Sequence, residues 1–400
     1  FVLLIKFRKL IKEKNYNKMA KSKLIKTGYE IEDVQILQSP ISPIRHRSEC
    51  DTKIKICGKK YYPLIVAPMG AVTNEYNYKT WLENGFMCVI PRTVDFNKRL
   101  ELSKEVFASF SLKEAEDFYK SDYDFSNGPY YICIDIAHGT MASLYDVCKK
   151  LKKKYGKKNI VIMTGNVANP MAYDYYADAG IDYMRCNVGT GSRCLTSVQV
   201  GVHMPSATLL DELCMRKQEW ERVHDRKGTE LIFDGGVSNF DTIQKALALG
   251  AFAVMSGNIF AKSWEACGEI RWARPDSKGN INMFDDEFSF SDTDFQQYIL
   301  NNENIIKNSV EYLRENFNPY REYYGMASKK AQKLTNGEAT KTAEGNVKPI
   351  LIEYHIDKWA KNMKDYLASC MSYCGVTTID EFRKEAEVII SMSGDKSFKK

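Results

Sequence analysis

Cys194 and Thr196 stand two residues apart at the end of a run that can fold sharply back, Asn187-Val188-Gly189-Thr190-Gly191-Ser192-Arg193-Cys194-Leu195-Thr196. A cysteine attacks as its thiolate, which backbone N–H groups freed by the two glycines, or the Arg193 guanidinium, could favour. An arbitrary cysteine is more often a small buried hydrophobe. One on a glycine-bent loop behind an apolar run is better placed for chemistry. Two further loops have a related build, Phe233-Asp234-Gly235-Gly236 and Met255-Ser256-Gly257-Asn258. Glycines there let backbone N–H groups approach phosphate oxygens, and the Asp234 carboxylate could hold a ribose diol. The plainer alternative is that these glycines only turn tight corners. His138 and His203 could serve as bases or metal ligands. Lone histidines at loop ends are more often structural, and no HxH or HExxH spacing supports a metal.

These residues need a frame that brings several loops to one place. Short apolar runs at 64–67, 87–90, 106–110, 131–136, 160–163, 183–186, 231–233 and 253–255 fit buried parallel strands. Amphipathic stretches at 74–84, 141–155, 171–180, 206–225 and 240–250 fit the helices between them. The gap between the second and third runs is short and less clearly helical. Eight strands alternating with helices predict an α/β fold, a (β/α)8 TIM barrel, with chemistry in the loops after the strands. A doubly wound sheet would want Gly-x-Gly-x-x-Gly after the first strand, and Pro68-Met69-Gly70-Ala71 is not that.

Outside the eight units the pattern changes. Residues 271–318 read as an insertion after strand eight, polar and acidic in the middle and helical over 292–316. Residues 327–349, rich in Lys, Thr, Gly and Ala, read as a long loop beside the barrel mouth and are expected to be a mobile lid. Helices near 355–373 and 379–391 close a single catalytic domain spanning 29–391, with 392–400 as a tail.

The chain has 400 residues, 44% hydrophobic and 27% charged, which is globular composition and excludes a disordered or collagen-like chain. No apolar run approaches the ~18 residues of a membrane span. Eleven scattered cysteines suit reduced thiols in a cytoplasmic protein better than a disulfide framework. The net charge of +6 is uneven: residues 1–26 hold nine Lys or Arg against Glu13 alone, so the body is close to neutral and no nucleic-acid groove is implied. Residues 1–28 are expected to be a solvated, disordered basic leader rather than a membrane-surface helix, with Met19 the expected start.

The chain resembles the IMP dehydrogenase and GMP reductase family. The resemblance rests on Ala67-Pro68-Met69 with Val72-Thr73, Ile134-Asp135-Ile136-Ala137-His138-Gly139, Gly165-Asn166-Val167, residues 189–196, Asp234-Gly235-Gly236-Val237, Lys245-Ala246-Leu247-Ala248-Leu249-Gly250-Ala251 and Tyr324-Gly325-Met326-Ala327-Ser328. It covers about 29 to 382, with 271–318 outside it. It implies an enzyme that holds a purine nucleotide, GMP or IMP, across the barrel mouth. Ser192, Gly236, Gly257, Asn258 and Tyr323 would hold the phosphate and Asp234 the ribose, with Gly325, Met326 and Ala327 also on the nucleotide. Cys194 would attack purine carbon 2 to give a thioimidate. Asp135, with Ala137 and His138, would lie on the nicotinamide side. The carbonyls of Gly189, Gly191 and Cys194 resemble the family's monovalent-cation site, which implies K+. A homotetramer is also implied.

Within the family, three features favour the reductase, which expels ammonia from GMP and takes hydride from NADPH. Only fifteen residues separate Ile90 from Val106, so the regulatory domain that dehydrogenases insert after strand two is absent. Residues 327–349 contain neither the Arg nor the Tyr of the dehydrogenase lid. Glu344, in Thr342-Ala343-Glu344-Gly345, fills the place of the glutamate that pairs with the threonine after the catalytic cysteine, here Thr196. The alternatives are an IMP dehydrogenase without its regulatory domain, using NAD, a flavin-dependent barrel oxidoreductase, or a non-catalytic nucleotide-binding relative. The chain departs from the family pattern at Gly70, Arg92, Arg193 and His203-Met204-Pro205-Ser206, positions that bear on base and cofactor recognition.

Overall fold

The structure is a computed structural model describing residues 27–391 apart from 122, 124–127, 157–158, 192–193, 277–278, 282–288, 292, 295–296, 298–315 and 340–341. Eight parallel strands close into a barrel in chain order: Leu64–Val66, Met87–Ile90, Phe107–Phe110, Tyr130–Asp135, Ile160–Val167, Tyr183–Cys186, Glu230–Asp234 and Ala253–Ser256. The last strand returns to the first, pairing Val254 with Leu64 and Ser256 with Val66. All eight expected strands form. The first three are buried along their whole length, which is why they read as unbroken apolar runs.

The expected helices appear as Tyr78–Glu83, Ala142–Tyr155, Ala172–Asp178, Ser206–His224 and Phe240–Ala248. Two more were not legible in advance. Phe96–Leu102 fills the short gap between strands two and three, started by Asp95, whose side chain accepts from the Asn97 and Lys98 N–H groups. Leu112–Lys120 follows strand three and opens on a reciprocal cap between Ser111 and Glu114. Both are short and rich in charge, so their caps start them more clearly than their apolar pattern does.

Beyond the barrel lies a four-stranded antiparallel sheet, ordered Ser289–Ser291, Ile270–Ala273, Asn318–Tyr324, Val347–Leu351. The borders of the expected insertion are therefore strands. The helix expected over 292–316 falls largely outside the described residues, as do most of the leader and the tail. Residues 327–349 are not simply a loop: they contain the helix Lys329–Asn336 and the start of the strand Val347–Leu351. The stretch is the connection of a hairpin whose last rung pairs Tyr324 with Val347. That hairpin is pinned by Arg321, fully buried, whose guanidinium donates to the carbonyls of Ala261 and Ser263 at 2.8 Å and of Gly268 at 3.0 Å. Burial brings the Arg321 pKa down to about 10, still charged at neutral pH.

The chain end also differs from expectation. The final helix stops at Glu385, and Val388–Ile390 is a strand antiparallel to Val34–Ile36. β-Branched residues suit such a ribbon, and the partner lies more than 350 positions earlier in the chain.

Candidate active site

The strand ends converge on a cavity of about 470 Å³, a size suited to a small-molecule ligand. Cys194 lies in its wall. The thiol donates to Thr196 Oγ1 at 3.3 Å, and the Thr196 hydroxyl donates to Glu344 Oε2 at 3.0 Å. A proton can pass along that line in either direction. The backbone holds it in place: Leu195 N–H donates to the Glu344 carbonyl at 2.8 Å, and Cys194 forms an antiparallel bridge with Gly345. The Glu344 N–H in turn donates to the Ala327 carbonyl at 3.2 Å. The hairpin connection is therefore docked on the cysteine loop.

The loops after strands seven and eight form the adjoining wall. Ser256 Oγ donates to the Val237 carbonyl at 2.8 Å and ties the two loops together. Gly235 has φ +102°, and a Cβ there would stand 2.5 Å from Thr190 Oγ1, so the close approach of the cysteine loop requires glycine. The N–H groups of Gly236 and Gly257 make no hydrogen bond among the described residues, and both glycines line the cavity. Asn258 lines it too, with its side-chain oxygen buried and unpartnered. Tyr323 closes this corner, its hydroxyl 3.4 Å from Met69 Sδ. The N–H groups of the two glycines offer unpaired donors to an anion.

A charged network lies beneath. Arg185, buried in strand six, donates through Nη1 to Asp135 Oδ1 at 2.6 Å and through Nε to Asp234 Oδ2 at 2.9 Å. Asn166 Nδ2 donates to the same Asp234 oxygen at 2.9 Å. Burial works against the Arg185 charge, but the carboxylates of Asp234 and Asp135 outweigh it and hold its pKa well above the ordinary value. Burial pushes the neighbouring Cys133 thiol up to about 12, only partly offset by Arg185, so it stays protonated at neutral pH. Arg185 and Asn166 were not singled out as site residues from the sequence. The available signal was a lone arginine inside a buried strand, which has to be paired.

Gly189, Gly191, Gly325, Met326, Ala327, Asp135 and Ala137 all line the cavity. His138 does not: it is exposed and bonds Thr140 at 3.2 Å. Ser192 lies outside the described residues. Two of the three carbonyls expected around a monovalent cation already accept hydrogen bonds, Gly189 from Ser197 Oγ at 2.9 Å and Gly191 from the Cys194 N–H at 2.8 Å. His203 is structural in its contacts, bridging the Val188 carbonyl and Glu30. Gly70 is closed in by Tyr324 and Thr93, whose side chains occupy the space a Cβ would need. No group of three or more His, Cys, Asp or Glu positioned for a metal occurs among the described residues. None of the described helices is long and apolar enough to cross a membrane.

Comparison with known proteins places the sequence in a family. A GMP reductase of Helicobacter pylori is 27% identical over 380 residues, 91% of this chain and 97% of that protein. A GMP reductase of Bacillus subtilis is 25% identical over 384 residues, 92% of this chain and 98% of that protein. One from Staphylococcus aureus is 32% identical over 251 residues, 60% of this chain and 73% of that protein. The family model described as IMP dehydrogenase / GMP reductase domain matches residues 28–280, which takes in all eight barrel strands and the cysteine loop, and the chain belongs to that family.

Proposed function

We propose that the chain is a GMP reductase, converting GMP to IMP and ammonia at the expense of NADPH. The observation that carries the reading is the line from Cys194 through Thr196 to Glu344, with distances of 3.3 and 3.0 Å. It lets Glu344 take the thiol proton as sulfur bonds to purine carbon 2 and return it to the departing 2-amino group. The carbon–nitrogen bond breaks, ammonia leaves, and a thioimidate remains on Cys194. When carbon 2 has gained hydride, the carbon–sulfur bond breaks and IMP and the thiolate separate. Residues 327–349 contain no arginine to activate a hydrolytic water, so the adduct has no evident route to xanthosine monophosphate. The GMP reductases that align over more than nine-tenths of this chain support the same choice.

The nucleotide phosphate is assigned to the N–H groups of Gly236 and Gly257 with Asn258 and Tyr323, and the ribose diol to Asp234. The wall of Asp135, Ala137 and Asn187 fits a nicotinamide: Asn187 is buried there with neither side-chain amide atom hydrogen bonded, a donor and an acceptor suited to a carboxamide. A reduced nicotinamide bound there supplies hydride. Residues 271–318 are assigned as an insertion and 327–349 as the lid that carries Glu344.

The test offers GMP with NADPH, and IMP with NAD, to the purified chain and identifies products by mass. IMP and ammonia from the first pair are expected. Sustained xanthosine monophosphate from the second, with no NADPH oxidation from the first, would overturn the reading.

A further inference from the structure

We propose that Cys370 and Cys374 form a redox-active dithiol, separate from the active site, that a peroxide oxidises to a disulfide and a dithiol reductant restores.

The two cysteines lie four positions apart at the end of the helix Ile356–Tyr373, with Cys374 as its capping residue. That spacing puts both side chains on one face of the helix. Both are half-buried and line a groove of about 870 Å³ together with Leu37, Phe240, Tyr366 and Tyr373. Tyr366 and Tyr373 are exposed, so the groove opens to solvent and admits a small oxidant. None of its residues lines the cavity that holds Cys194.

Cys88, Cys133, Cys148 and Cys186 are fully buried, and burial keeps their thiols protonated. Cys370 and Cys374 meet each other instead. The Cys370 thiol donates to Cys374, which together with burial raises the Cys370 pKa. The same contact lowers the Cys374 pKa, against the opposing effect of its half-burial. Cys374 Sγ is 3.9 Å from the Leu37 carbonyl, the far limit for a thiol donor, so that contact holds its proton weakly. A nucleophilic thiol in an open groove, touching a second thiol, is the arrangement of a redox-sensing cysteine and its resolving partner.

The Cys374 thiolate attacks one peroxide oxygen, the O–O bond breaks, and hydroxide leaves to take up the proton the thiol lost. Cys370 sulfur then attacks the sulfenic acid on Cys374. The S–O bond breaks, and the hydroxyl departs with the Cys370 proton as water. Two thiols lose two electrons and one hydrogen peroxide becomes two waters. Cβ atoms one helical turn apart lie about 5–6 Å from each other, and a disulfide wants about 3.5–4.5 Å, so the last turn must tighten. It is set to do so: the Cys374 N–H is shared among the carbonyls of Cys370, Met371 and Ser372, and Gly375, with φ +75°, follows at once.

The test treats the purified full chain with hydrogen peroxide, removes the excess with catalase, blocks free thiols with N-ethylmaleimide and digests with trypsin. Residues 365–383 form one tryptic peptide that holds both cysteines and no other. That peptide should lose two hydrogens in mass and escape blocking, and dithiothreitol should return both thiols. Cys374→Ser should slow oxidation of the peptide by more than about tenfold, because a protonated thiol is a poor nucleophile. Cys370→Ser should stop at a sulfenic acid on Cys374, trapped by dimedone. Full blocking of both cysteines at a peroxide dose that oxidises glutathione overturns the proposal. So does a disulfide between two chains, a sulfinic acid on Cys374 of the unaltered chain with no disulfide, or undiminished oxidation of Cys370 in the Cys374→Ser chain. The peptide is read by itself, so neither the state of Cys194 nor the reductase reading enters the result.

Discussion

The Thr196 hydroxyl donates to Glu344 at 3.0 Å although the two lie 148 positions apart in the chain. Thr196 also accepts from Cys194, so one hydroxyl joins a nucleophile on the strand-six loop to a carboxylate on the hairpin connection. Glu344 is in reach because the hairpin's last rung, Tyr324 with Val347, sets where residues 344 and 345 emerge. Arg321 fixes that hairpin against the loop after strand eight. The proposed chemistry therefore depends on a sheet outside the barrel.

Glu344→Gln removes the proton acceptor and keeps the shape. GMP deamination should fall by ~10²–10⁴-fold, the usual contribution of a positioned proton-transfer group. GMP affinity by calorimetry should alter far less, because the phosphate loops are untouched.

Cys194→Ser should bind GMP nearly as well and lose turnover by several orders of magnitude, since the covalent route disappears. Intact-protein mass after acid quench should show a nucleotide adduct on the unaltered chain and none on the variant. Near-normal turnover of the serine variant would refute the assignment of Cys194.

Gly257→Ala tests the phosphate corner. The added Cβ would collide with Met69 Sδ and stand 2.7 Å from the Tyr323 hydroxyl, so the site must shift even without ligand. Overpacking of this kind typically costs about 1–3 kcal/mol. The apo melting temperature should therefore fall, and the further rise normally produced by IMP should shrink or vanish. A full IMP-induced rise would place the nucleotide elsewhere.

Arg185→Met leaves Asp135 and Asp234 without their shared cation. Breaking such a buried set typically costs about 3–5 kcal/mol, read as a lower denaturation midpoint at pH 7.5. A midpoint that does not move would show that the guanidinium does not hold the two carboxylates in the fold.

The His203–Glu30 contact sets a pH window. One ring nitrogen faces the Val188 carbonyl at 2.9 Å and the other Glu30 at 2.6 Å, both acceptors, so the doubly protonated ring satisfies both. Burial disfavours that charge, but the Val188 carbonyl and Glu30 outweigh it and raise the pKa above 6.5. This contribution is complete below pH 6.5 and is lost as pH rises through the raised value. For Glu30, burial is outweighed by Ser206 and His203, and its pKa lies below 4.5. That part is present above pH 4.5 and is lost as pH falls through the lowered value. Because His203 is largely exposed, the effect should be only roughly 1–2 °C in Tm. His203→Gln should flatten the alkaline side of the Tm profile, and NMR titration of the ring should give a value above 6.5.

The barrel was legible in the sequence because its strands are buried along the chain, so apolar runs such as 87–90 announce themselves without knowledge of their neighbours. Cys194 and Thr196 were legible for the same local reason: one glycine-bent loop carries both. The two glycine loops after strands seven and eight likewise declared themselves by their spacing. What the sequence alone left open are contacts between distant segments. Glu344 was placed only by resemblance, and its bond to Thr196 depends on a hairpin register that no local pattern encodes. Arg185 is a lone charge inside strand six, and its two carboxylates, 50 residues before it and 49 after, arrive from strands four and seven. The strand Val388–Ile390 passed for the end of a helix because its partner, Val34–Ile36, lies at the other end of the chain. Burial period and turn chemistry are properties of neighbours in sequence, whereas pairing between remote segments is decided by which surfaces the closed barrel leaves free.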